Sequence, residues 1–207
     1  MCGRYKISAP GDELWEHFDL HGFPVELPPH FNIAPTQQIG IIRTPHQLEF
    51  VRWGLRVPNP RAGGFNVRVE SLGAPIYRDS IRGRRCLILA DGYYEWKAVG
   101  KVKQPILIKR QDGKPFAFAG LWDKIILKNG ETVDAAAILT TTPRGVAADV
   151  HDRMPVILPT ENYAKWLDPT ARYRDLLEPD TTALELVPVS TLVNSVKNDG
   201  PACAEPI

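Results

Sequence analysis

The sequence predicts an α+β fold: a single domain built on an antiparallel, barrel-like β-sheet with a few short helices. Three observations carry that expectation. Short apolar or alternating segments, such as Ile39-Gly40-Ile41-Ile42 and Leu48-Glu49-Phe50-Val51-Arg52-Trp53, recur along the chain between turn residues. The 19 prolines and 16 glycines are spread over the whole length, which disfavours long helices. Neither a Ser/Gly-rich linker nor an internal repeat divides the 207 residues, so one sizeable core is expected.

The chain opens Met1-Cys2-Gly3-Arg4. Cysteine at position two is small enough for an aminopeptidase to remove Met1, which gives Cys2 an α-amine of pKa about 8 beside a thiol of about 8.5. An amine and a thiol on adjacent carbons attack one aldehyde carbon in succession, first as a Schiff base and then by closing a thiazolidine ring. Gly3 leaves room beside these groups, and Arg4 carries a fixed charge suited to a phosphate. Taken alone, these four residues fit a frayed terminus with an inert cysteine more simply.

Ser8-Ala9-Pro10-Gly11-Asp12 then enters a helix whose Leu14, Trp15 and Phe18 share one face. Pro24, Pro28, Pro29 and Pro35 hold the next stretch in a loop, where Asn32 reads as a turn-capping amide. The strands at 39–42 and 48–53 flank the turn Thr44-Pro45-His46. A Pro- and Gly-rich loop over 54–64 leads into Phe65-Asn66-Val67-Arg68-Val69-Glu70, where alternation puts Asn66, Arg68 and Glu70 on one side. A half-exposed edge strand accounts for that pattern equally well.

Arg78, Arg82, Arg84 and Arg85 form the densest basic stretch, either a solvated face or a local nucleic-acid patch. The apolar strand Cys86–Ala90 buries Cys86 and runs into Asp91-Gly92-Tyr93-Tyr94-Glu95-Trp96. Glu95 is either a carboxyl with its pKa raised by desolvation or a surface carboxylate alternating with core aromatics. Strands are expected at 104–109, 116–122, 124–127 and 133–141, with Asn129-Gly130 as the hairpin turn between the last two. His151-Asp152-Arg153 precedes Met154-Pro155 and an apolar strand, a setting that gives His151 more than a structural reading. Helices at 161–167 and 171–177, a strand at 184–189 and the segment 193–199 complete a domain of residues 1–199, with 200–207 as a loose tail.

Twenty-five basic side chains against 24 acidic ones give a net charge of +1, so any nucleic-acid site must be a local patch. The three cysteines, Cys2, Cys86 and Cys203, are odd in number and no secretory leader is evident, which points to a reducing, cytoplasmic setting. No apolar run approaches the roughly 20 residues of a membrane span, so a soluble protein without membrane association is expected. Walker and dinucleotide motifs and Cys/His ligand spacings are missing from the sequence, so no cofactor and no metal are expected.

Five stretches together resemble one family, in order and spacing, from Cys2 to Asn198: Cys2-Gly3-Arg4, Asn66-x-Arg68-x-Glu70, Ala90 through Trp96, His151 through Pro155, and Val193-Asn194 through Lys197-Asn198. That family is SRAP, the SOS response-associated peptidases. The resemblance implies the same fold and a sensor of abasic sites in single-stranded DNA, expected as a monomer, that crosslinks itself to the ring-opened sugar by lyase-like Schiff-base chemistry. It implies that Cys2 supplies both nucleophiles, Glu95 shuttles protons, and His151 protonates the sugar ring oxygen. Asn66 would orient Cys2 and the sugar, Arg4, Arg68 and Arg153 would bind phosphates, and Thr140 would line the pocket. The chain departs from bacterial relatives after Trp53-Gly54. Those often carry paired tryptophans there, whereas this loop reads Leu55 through Arg61, leaving Arg56, Arg61 or Phe65 to substitute. Two other readings stay open: an N-terminal-cysteine peptidase or amidohydrolase using Cys2, Asn66 and His151, and a non-covalent single-strand binder. The arginines favour a phosphate backbone over a peptide.

Overall fold

The computed structural model describes residues 2–22, 27–55 and 64–207. Along the chain the elements are β1 (Tyr5–Ile7), α1 (Gly11–His17), β2 (His30–Ile33), β3 (Gln38–Thr44), β4 (Gln47–Trp53), β5 (Asn66–Arg68), α2 (Arg78–Gly83), β6 (Arg85–Ala90) and β7 (Gly92–Val99). They continue with β8 (Val102–Arg110), β9 (Phe116–Ile126), β10 (Thr132–Thr141), β11 (Met154–Pro155), β12 (Ile157–Leu158), α3 (Tyr163–Leu167) and β13 (Leu184–Pro188). The result is the expected single α+β domain of short strands and short helices.

One sheet has the order β13-β8-β7-β1-β2, and the other runs β11-β10-β4-β3-β6-β9-β12. Because β10 also pairs with β9, the strands β10, β4, β3, β6 and β9 close into a five-stranded barrel. Its seams are antiparallel except one. β4 runs parallel to β10, with Arg52 opposite Ala135, and β5 joins β10 in parallel too, with Asn66 opposite Ile138. The barrel is therefore mixed. A parallel pair needs a long return connection, and the chain between β4 and β10 supplies one. Side chains such as Ile41, Trp53, Ile88, Phe118, Leu121 and Ile138 are fully buried in the core. Gly120 sits opposite Cys86 in the β6–β9 pair, where an added Cβ would lie 2.7 Å from Ile88 and 2.9 Å from the Cys86 sulfur. That crowding admits only glycine.

The structure differs from the sequence reading at several points, among them β2 at His30–Ile33, which forms within the stretch expected as a loop. Segments 116–122 and 124–127 are one continuous strand, β9. Asp123 does not interrupt it, because its carboxylate accepts from Arg84 and Ser80 at the sheet margin. The helix expected at 171–177 shortens to a 3₁₀ turn at Tyr173–Leu176. Residues 200–207 are packed, not loose: Pro201–Cys203 form a 3₁₀ turn, Pro206 bridges to Val189, and Cys203 is buried with Tyr94, Leu107, Val189 and Val193 in a satellite core. No helix among the described residues is long and apolar enough to cross a membrane.

Candidate active site around Cys2

The register of two strands sets the site. Tyr5 of β1 lies opposite Tyr93 of β7, and Tyr94 N donates to Arg4 O at 2.9 Å, so the antiparallel pair carries Cys2 toward Glu95. Cys2 is fully buried, and its thiol donates a long bond of 3.7 Å to Arg4 O. Asn66, at the start of β5, donates from Nδ2 to Cys2 O at 2.8 Å. The parallel pairing of β5 with β10 places Thr140 two positions along from Asn66's partner, also fully buried. The Asn66 Oδ1 and Thr140 Oγ1 atoms are buried without a hydrogen-bond partner among the described residues. Asn66 Oδ1 can accept a hydrogen bond from a bound group, and Thr140 Oγ1 can accept or donate one.

Glu95 is only 4% exposed, and burial raises its carboxyl pKa above the ordinary range. Its Oε2 lies 3.9 Å from His151 Nε2, and the His151 side chain is about a third exposed. On the other edge of that imidazole, Nδ1 is 3.0 Å from Arg153 N and 2.8 Å from Asp152 Oδ1. With its hydrogen on Nε2, the neutral ring accepts from the Arg153 N–H. The protonated ring finds the Asp152 carboxylate at Nδ1. Both charge states of His151 thus have a partner, as a proton carrier requires. Glu95, Trp96, Lys103, His151 and Asn194 line an open pocket of about 410 Å³. The Cys2 thiol pKa is raised, first by burial and then by the negative charge of Glu95. Its sulfur is held as a neutral thiol until a base takes the proton.

The three arginines do not form one free clamp. Arg68 is exposed at the end of β5. Arg4 is spent on internal acceptors, Asn32 Oδ1 at 2.9 Å, Val193 O at 2.6 Å and Asn194 O at 3.3 Å. Arg153 makes a two-pronged bridge to Glu70, at 2.7 and 2.9 Å, and donates to Thr140 O at 2.6 Å.

Asn32, read from sequence as a turn cap, is a buried hub. Its Nδ2 reaches Val193 O, Ser195 O and Asn198 O at 3.2, 2.9 and 2.6 Å, which ties the 193–199 segment beside the pocket. The signal available was an amide set between the apolar Phe31 and Ile33. The basic stretch is partly structural: Arg84 pairs with Asp123 at 3.0 Å, and Arg85 lies over Trp166 and donates to Asp168 O and Ala171 O. Phe65 packs edge-on against Trp53 at 5.9 Å, while Arg56 and Arg61 lie outside the described residues.

Among the described residues one group, Asp19, His21 and His46, brings metal-ligand atoms within 4.8 Å of one another. Its two imidazoles stack face to face, 4.2 Å apart and 6° from parallel. A ring nitrogen directs its lone pair in the ring plane, so one ion cannot serve both rings as they stand.

The sequence matches the profile of the family described as SOS response associated peptidase (SRAP) over residues 1–196. It is 38% identical over 222 residues to the abasic site processing protein YoqW of Bacillus subtilis, covering 99% of both chains. It is 37% identical over 216 residues to the abasic site processing protein YoaM of the same organism, covering 96% of this chain and 95% of that one. A crystal structure of a protein from Bacteroides thetaiotaomicron shares the fold, with a TM-score of 0.84 over the whole of both chains at 22% identity.

Proposed function

We propose, for a chain that belongs to the SOS response-associated peptidase family, that it processes abasic sites in single-stranded DNA by forming a thiazolidine crosslink through Cys2 once Met1 is removed. The observation that carries this reading is a buried Cys2 tied by its carbonyl to Asn66, next to a carboxyl of raised pKa that faces a partly exposed histidine. The names of the relatives, abasic site processing proteins, support the same lesion as substrate.

The closed sugar is a hemiacetal: protonated His151 gives its Nε2 proton to the ring oxygen, the bond from that oxygen to C1′ breaks, and the C1′ hydroxyl loses its proton to water, which leaves the open aldehyde. The Cys2 amine adds to that aldehyde. Glu95, its pKa raised by burial, gives a proton to the departing hydroxyl, and water leaves as the protonated imine forms. The Glu95 carboxylate then takes the thiol proton, the sulfur adds to the imine carbon, and the imine nitrogen becomes a ring amine. Aldehyde plus aminothiol gives thiazolidine plus one water. Asn66 holds the Cys2 backbone against rotation through these steps, and Thr140 meets the sugar with its hydroxyl. Arg68 contacts a phosphate directly, and Arg4 holds the pocket wall from within. Arg153 reaches a phosphate by exchanging its bridge to Glu70.

The peptidase reading has less support, because the relatives are named for abasic site processing. The reading is tested on a denaturing gel with single-stranded DNA bearing one abasic site, without reductant, beside a Cys2→Ser variant. A shifted band with wild type alone supports it. Its absence with wild-type protein whose Met1 has been removed overturns it.

A further inference from the structure

The pocket lined by Glu95 and His151 holds a cation to which the reaction gives no part. Lys103 is the one lysine or arginine among the described residues that line it. The side chain is exposed and makes no ion pair or hydrogen bond among the described residues. Lys6, Lys109 and Lys124, by contrast, are each bridged to a carboxylate. Its backbone is fixed. Lys103 lies opposite Ala98 in the β7–β8 ladder, and the next residue, Gln104, donates from Nε2 to Val189 O at 2.9 Å. Strand alternation puts Lys103 on the face that carries Trp96, whose indole Nε1 donates to Asn194 Oδ1 at 2.7 Å in the pocket wall. An ammonium held at its backbone and open at its tip is placed to meet an anion.

Arg68 stands across the site from it, and a line of contacts runs between the two. Arg68 is opposite Thr140 in the β5–β10 pair, and Thr140 O accepts from Arg153 at 2.6 Å. Arg153 N then donates to His151 Nδ1 at 3.0 Å, and His151 Nε2 faces Glu95 at 3.9 Å in the pocket that Lys103 lines. Arg68 thus borders the Asn66 and Thr140 side, and Lys103 borders the Glu95 side. Arg4 cannot take the place of Lys103, because its guanidinium is spent on Asn32, Val193 and Asn194. Within a strand, an abasic sugar carries one phosphate on its 5′ oxygen and another on its 3′ oxygen. We propose that Lys103 and Arg68 form a two-sided clamp, each binding one of the two phosphates that flank the lesion sugar. The proposal rests on the abasic-site reading and deepens it: the favoured substrate is an abasic nucleotide inside a strand, over a terminal one that lacks either phosphate.

The test measures equilibrium binding of the full chain by fluorescence anisotropy. The probe is single-stranded DNA with one internal tetrahydrofuran, an abasic analogue that cannot open to an aldehyde and so cannot crosslink. In two further strands one flanking phosphate or the other is replaced by an uncharged methylphosphonate. Each replacement should weaken wild-type binding about five-fold at roughly 0.1 M salt, as expected for one phosphate contact on a single strand. Lys103→Ala should weaken binding to the unmodified strand by the same factor and become insensitive to one methylphosphonate while staying sensitive to the other. Arg68→Ala should show the reverse assignment. Lys103→Arg should keep the wild-type affinity, and Lys103→Gln should lose it. The clamp is overturned if Lys103→Ala binds as wild type, if it stays sensitive to both replacements, or if the same replacement is silenced in both variants. Equal losses in Lys103→Arg and Lys103→Gln overturn it too. No covalent step enters these titrations, so they decide the clamp even where wild type fails to crosslink a true abasic site, a failure that overturns the crosslinking reading alone.

Discussion

The side-chain amide of Asn66 donates to the main-chain carbonyl of Cys2 at 2.8 Å, joining the chain terminus to a strand 64 residues away. Cys2 precedes β1 and would be free to fray without such a tie. Asn66→Asp keeps the shape but removes the donor and adds a negative charge beside Glu95. Crosslinking to abasic single-stranded DNA should fall by at least about ten-fold in single-turnover assays, with the circular dichroism spectrum retained.

Glu95 tests the cost of the site. Its folded-state pKa is raised by burial, so the carboxyl stabilises the fold relative to its charged form only while protonated. That contribution is complete below the unfolded value of about 4.3 and is lost as pH rises through the folded value. Glu95→Gln should therefore be more stable than wild type at neutral pH, and the difference should vanish in acid. Urea midpoints measured from pH 4 to pH 8 check the sign. The same variant should lose crosslinking, since the amide neither gives nor takes the proton.

Arg4 and Asn32 act as one brace between β2, the 193–199 segment and the start of β1. Asn32→Ala takes one acceptor from Arg4, which keeps Val193 O, and removes the amide donor from Ser195 O and Asn198 O, at a cost of about 2–4 kcal/mol in urea unfolding. Amide exchange at 193–199 should accelerate more than in the barrel strands β6 and β9.

On the proposed reading, Glu70 competes with phosphate for Arg153. Hydrogen bonding from Arg153 holds the Glu70 carboxyl below its usual range, a sign that the bridge favours the charged pair. Glu70→Gln should tighten single-stranded DNA binding and steepen the log–log salt slope by about 0.7, whereas Arg68→Ala should make it shallower by a similar amount. Binding titrations by fluorescence anisotropy at several salt concentrations read both.

Much of this was legible in the sequence because local chemistry decided it. The alternation in residues 39–53, the Asn129-Gly130 turn and the apolar run after Cys86 each mark a strand or turn without help from the rest of the chain. Asn66 and Glu95 stood out in the sequence because each is polar among apolar or aromatic neighbours, and His151 because it adjoins Asp152 and Arg153. The parallel β4–β10 seam was not, since it depends on where two distant strands meet. Nor was the division of labour among the arginines: Arg4, Arg68 and Arg153 look alike in sequence, and only their surroundings separate brace, bridge and exposed charge. The packing of Cys203 under Tyr94 likewise arises from tertiary contact alone.

The most direct test of the central claim is the chemical identity of the adduct, read by tandem mass spectrometry after nuclease and protease digestion of the crosslink. The account predicts an N-terminal peptide beginning at Cys2 that carries the sugar at the sum of the two masses less one water, with its thiol closed to alkylation and no mass gain after borohydride. An adduct with Met1 retained, or with a free thiol, would contradict the thiazolidine mechanism.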